Sequence, residues 1–185
     1  VSDIKSAWEI AQEKASKLGG LSLEEREEQR QEKCNLIGAG LADKYLSNHD
    51  IGTIKDELDK HVADDKKLIV LSAIRRLSRE IDLQYPAGLY EILQGILTLK
   101  DSEAVKKTLD EIKTLFQEYA TAEDKERKEI EQSATEKLHQ MRISGSAIGP
   151  FNLRAREEWR ERLEQTAGPF NDRLNSLKQE LIQQN

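Results

Sequence analysis

The sequence predicts an all-α protein: a helical-bundle core carrying a long coiled-coil-like helix that folds back on C-terminal helices. Three observations predict it. Charged residues make up 35% of the 185-residue chain and aromatics only 5%, the profile of long helices with solvated faces. Apolar residues recur at steps of three and four along most of the chain, which is the period of an amphipathic helix. The runs of β-branched and aromatic residues that strands require are almost missing.

Ser2 or Asp3 caps a first helix with Ile4, Trp8, Ala11, Ala15 and Leu18 on one face, ended by Gly19-Gly20. Ser22 followed three positions later by Glu25 is a capping box for a second helix. That helix starts fully polar and turns amphipathic at Cys34, Ile37, Leu41 and Tyr45, stopping over Ser47–Asp50. Thr53 is the expected cap of a short helix with Ile54, Leu58, His61 and Val62. Asp64 or Asp65 opens the most hydrophobic helix, whose face is read as Leu68, Leu71, Ile74, Leu77 and Ile81, widened by Ile69 and Val70. Pro86 pushes Tyr85 out of the helical region and breaks it. Leu89, Ile92, Leu93, Ile96 and Leu97 then form a compact apolar helix up to Lys100.

From Asp101 or Ser102 to about Arg142 there is neither proline nor glycine. Val105, Leu109, Ile112, Phe116 and Tyr119 keep a four-three spacing, the seam of a coiled coil. Residues 123–129 interrupt it with charge alone, so the helix is expected to project or to bend there; Ile130, Ala134, Leu138 and Met141 resume the face. Residues 143–150 read as a non-helical linker. After it, Gly149-Pro150-Phe151-Asn152 and Gly168-Pro169-Phe170-Asn171 repeat one four-residue joint, each glycine read as a breaker. The chain thus divides into a helical core over 1–100 and, over 101–185, a long helix plus a C-terminal helical hairpin.

Charge and cysteine content exclude several classes of function. The net charge of −6 is spread evenly, with −3 on residues 1–100 and −3 on the remainder. No segment is basic enough for nucleic acid or for a polybasic membrane contact. The longest aliphatic run, Leu68–Leu71, is far too short to span a bilayer. Cys34 stands alone, which precludes an internal disulfide or a thiolate metal cluster. With no apolar leader at Val1–Lys5, a cytoplasmic location is expected.

Candidate chemistry is sparse. Glu136 and His139 form a Glu-x-x-His pair, half the ligand motif of carboxylate-bridged metal bundles, but no second copy exists and no metal site or cofactor is expected. The doublet His49-Asp50, with His61 and Asp65 downstream, resembles the start of a phosphohydrolase metal set but lacks a preceding histidine, and a helix stop explains it. Cys34 lies on an amphipathic face, the setting of a small buried hydrophobe. The Ser144-Gly145-Ser146-Ala147-Ile148-Gly149 turn lacks the lysine ending of a phosphate loop, yet its backbone N–H groups stand just before a helix start and are candidates for an anion. Trp159, among Arg154, Arg156, Arg160 and Arg162, reads as a packing or interface anchor because three glutamates offset the arginines.

The stretch from Ile4-Lys5-Ser6-Ala7-Trp8-Glu9-Ile10-Ala11 to Lys17-Leu18-Gly19, with Leu41-Ala42-Asp43-Lys44-Tyr45-Leu46, resembles the opening of a group of uncharacterised bacterial all-helical proteins. Ile143-Ser144-Gly145-Ser146-Ala147 is similar to a turn of the same group. The resemblance implies a bacterial source and no particular activity. It adds weight to Ser144, Gly145 and Ser146 as ligand-binding residues.

These readings favour a structural or interaction protein over an enzyme. Its partner would be a second copy or another helical protein, met through the long helix at Leu109 and Phe116 and at Trp159. The alternatives are a small-molecule or anion sensor built on the Ser144–Gly149 turn, and a metal-dependent bundle enzyme.

Overall fold

The computed structural model describes residues 22–143, 148, 151–153 and 156–184. The expected first helix and the turn residues Ser144, Gly145 and Ser146 lie outside them. Among the described residues there are six helices and no strand: α1 (Leu23–Asn48), α2 (Ile51–Leu58), α3 (Ala63–Arg79), α4 (Leu89–Leu99), α5 (Glu103–Gln140) and α6 (Glu157–Gln183).

Local chemistry sets most boundaries. At α1 the Ser22 hydroxyl accepts from the Glu25 N–H at 3.1 Å, and the Ser22 N–H donates to the Glu25 carboxylate at 2.7 Å. The helix stops at His49, which takes a left-handed φ of 54° while its N–H donates to the Tyr45 carbonyl. The α2 cap is Asp50, not Thr53. Its carboxylate accepts from the Gly52 N–H at 2.9 Å, and the Thr53 hydroxyl donates to the same carboxylate at 2.8 Å. A carboxylate three positions earlier outcompetes the hydroxyl as acceptor for the first free N–H groups. Helix α3 starts at Ala63, so Asp64 and Asp65 lie in its first turn rather than at its cap, where negative charge favours the exposed N–H dipoles.

Helix α3 is rotated from the expected face. Ile69, Ala73, Ile74 and Leu77 are buried, whereas Leu68 and Leu71 are only partly covered. The cause is the approach of α1. A Cβ placed on Gly38 would come 2.4 Å from the Ile69 carbonyl oxygen and 2.7 Å from Ser72 Cβ, so the two helices meet backbone to backbone. Ser72, buried there, donates to the Asn35 carbonyl at 2.7 Å. The line of contact therefore runs through Ile69, Ser72 and Ala73, leaving Leu71 at its edge.

Helix α4 follows Gly88, whose φ of 87° is the left-handed conformation that glycine adopts without strain. Its own Gly95 makes room for the ring of Tyr45, and the Tyr45 hydroxyl donates to the Glu91 carbonyl at 2.7 Å.

Helix α5 continues as one helix through residues 123–129, a length of about 57 Å at 1.5 Å per residue. Ion pairs one turn apart, Arg127–Glu123 at 2.8 Å and Lys125–Glu129 at 3.9 Å, replace apolar contact along that stretch. The seam residues Val105, Leu109, Ile112, Phe116 and Tyr119 are all buried, and Ala167, Leu174, Leu177 and Leu181 of α6 belong to the same apolar cluster. Arg162–Glu126, Arg173–Glu118 and Gln184–Thr108 contacts fix the two helices as antiparallel.

The expected break at Gly168-Pro169 does not occur: α6 passes through Pro169 without interruption. An interior proline costs about 3 kcal/mol through a lost hydrogen bond and a clash with the preceding turn. Here Ala167 on one side and Leu174, Leu177 and Leu181 on the other are buried, while Pro169 itself faces solvent. Burial against the rest of the fold outweighs the local penalty. The segment after residue 156 is thus one long helix, not a hairpin. One buried cluster joins residues from both sides of position 100, from Cys34 to Leu181.

Candidate functional site

The main apolar cluster ends at Tyr119 on α5 and at Ala167 on α6. Beyond it, residues 120–140 of α5 continue for about 30 Å, accompanied by the first turns of α6. This distal pair of helices forms an arm. Arg162 binds Glu126 at 2.6 Å and Glu129 at 3.8 Å across it. Ile130, Ala134 and Leu153 are buried there without joining the main cluster. At the far end Leu138 is half-buried, and Met141, one turn on, is 69% exposed.

The residues singled out as an interface divide between core and arm. Leu109 and Phe116 are 3% and 8% exposed and lie in the apolar cluster of the chain itself. They close the α5–α6 seam within one chain, so their side chains are not offered to a second one. Trp159 is half-buried on the arm, its ring edge-on to Phe151 with centroids 6.1 Å apart and the Arg156 guanidinium 5.1 Å from its centre. It anchors the start of α6.

His49 forms the left-handed stop of α1 and packs edge-on against Tyr45 at 5.9 Å. His139 and Glu136 are exposed on α5. Among the described residues no group of three or more histidine, cysteine or acidic side chains is placed to hold a metal ion.

One convergence was not legible from spacing. Cys34, His61 and Asp65 line a shallow groove of about 400 Å³ together with Arg30. Arg30 binds Asp65 at 2.6 Å. His61 Nε2 is buried, 3.5 Å from the Glu57 carboxylate and without a hydrogen bond among the described residues. Burial, and then the Asp65 charge, push the Cys34 thiol above its ordinary pKa. A nucleophilic cysteine needs the reverse shift. Cys34 therefore packs as a hydrophobe despite its neighbours.

A larger groove, about 580 Å³, opens where the arm leaves the core. Tyr85 and Pro86 of the α3–α4 connection face Phe116 and Tyr119 of α5 and Leu163 of α6 across it. Only the folding-back of α6 creates this groove, so no local motif announces it.

Comparison with protein-family models, with curated proteins and with solved structures finds no match. No described helix is long and apolar enough to cross a membrane.

Proposed function

We propose that this is a structural or interaction protein that assembles through amphipathic helices, with the α5–α6 arm as its contact element. The observation that carries the reading is the arm itself. About 30 Å of α5 extends past the main core, supported by ion pairs to Arg162 and by a few buried apolar residues, and ends on Leu138 and Met141. Extended helical pairs of this kind present much surface for little core, and partner contact is a use that rewards such a shape.

The chemistry elsewhere supports the same reading. Cys34 is held as a neutral thiol, and the carboxylates and cations of the arm are largely spent on one another. A second copy is the simplest partner, because isologous pairing about a two-fold axis covers one patch with its own image. A reducing cytoplasm suits the free thiol at Cys34. The test is the mass of the purified chain in solution, with and without charged substitutions at Leu138 and Met141. Loss of assembly on those substitutions supports the arm as contact; assembly that ignores them removes it from the account.

A further inference from the structure

Arg75 and Arg79 stand one turn apart on α3, both exposed. Among the described residues neither side chain forms an ion pair or a hydrogen bond, although the chain carries 35 acidic residues against 29 basic ones. Their neighbour Arg76 shows the usual alternative, bound to Asp43 at 2.8 Å and to Glu80. Helix α6 crosses beside them and contributes Asn175, Lys178 and Gln179 to a groove of about 450 Å³. Lys178 is half-buried there, donates to the Ile81 carbonyl, and has its ammonium pKa lowered by burial, which Asp82 partly offsets. Ser78 lines the same groove. It is 2% exposed, and its hydroxyl has no hydrogen-bond partner among the described residues. A buried hydroxyl left unpaired costs free energy, and an entering acceptor would relieve it.

We propose that this groove is a binding site for the phosphoryl group of a small anionic molecule. Two arginine forks and one ammonium supply three positive charges and planar donor pairs, which match the geometry and the double charge of a phosphoryl group better than a single carboxylate. Asn175 and Gln179 add amide donors, and the Ser78 hydroxyl adds one more at the floor. The surroundings select against a polyanion. Glu28 and Glu32 line the adjoining groove on the α1 side of the same arginines without pairing with them, and the whole chain is acidic, so an extended nucleic-acid backbone meets repulsion as it leaves the groove on that side. A compact ligand confined to the α3–α6 groove does not. The site shares no residue with the arm.

Calorimetric titration with inorganic phosphate and with pyrophosphate, at ionic strength held constant with chloride, tests it. The expected result is saturable binding, tighter for pyrophosphate, with acetate giving none. Joint replacement Arg75→Gln and Arg79→Gln weakens binding at least about tenfold, with helicity by circular dichroism unchanged because both side chains are exposed. Ser78→Ala weakens it less and leaves the unliganded fold at least as stable, since the hydroxyl has no partner to lose. Should the double variant fail to fold, each single replacement carries the same test, and either must weaken binding several-fold. Absence of saturation for both probes, or equal affinity in the arginine variants, overturns the proposal.

Discussion

Gly38 and the carbonyl of Ile69 are so close that a methyl group on the glycine would lie 2.4 Å from the oxygen. Both partners in that contact are backbone, so neither can swing aside. Gly38→Ala should therefore destabilise the protein by about 1–3 kcal/mol through overpacking, even though alanine is favoured over glycine in a helix by about 1 kcal/mol. Gly40, two positions on, is the internal control. No atom of the described residues lies within 4 Å of a Cβ there, so Gly40→Ala should gain roughly 0.5–1 kcal/mol. Urea denaturation of the two variants should give opposite signs; equal signs would mean that α1 and α3 are not packed this closely.

The rotated face of α3 gives a second contrast. Ile74 and Leu77 are fully buried, whereas Leu71 is partly exposed. Alanine at Ile74 or Leu77 should cost about 2–5 kcal/mol, and alanine at Leu71 distinctly less. Thermal or denaturant unfolding that ranks Leu71 with the other two would restore the face inferred from spacing.

Helix starts and stops were legible where one residue's chemistry decides them, as with the Ser22–Glu25 box and the stop at His49. The seam from Val105 to Tyr119 was legible because its period is its cause. What failed depended on contacts distant in sequence. Leu71 lost its place to Ile69 and Ala73 because Gly38, more than thirty residues earlier, brings α1 against that side. Pro169 did not break α6 because burial on both sides of it overrides the local penalty. The Arg75–Arg79–Lys178 groove joins α3 to α6 across about a hundred residues, and no spacing rule spans that distance. Spacing alone also left open whether the seam closes within a chain or between chains.

Closure within one chain has a direct consequence at Leu109, 3% exposed, and Phe116, 8% exposed. Glutamate at either position places an unpaired charge in the core, at a cost of several kcal/mol, comparable with the 5–15 kcal/mol that holds a typical domain together. The expected outcome is general loss of helicity and cooperative unfolding. Folded, soluble variants of lower mass would instead place the seam between chains.

Cys34 should be nearly inert in the folded protein. Burial raises its thiol pKa, so at neutral to mildly alkaline pH the reactive thiolate is scarce. A disulfide reagent should modify it slowly in buffer and rapidly in denaturant. Rapid reaction under native conditions would reopen Cys34, His61 and Asp65 as a chemical site.

The proposed role in assembly rests most directly on the mass of the particle in solution. Light scattering coupled to gel filtration, at micromolar concentration, should give the intact chain twice its 21.1 kDa mass. The Leu138→Glu, Met141→Glu variant should run at the mass of one chain with its helicity intact. A one-chain mass for the intact protein, or a two-chain mass that survives those substitutions, would contradict self-assembly through the arm.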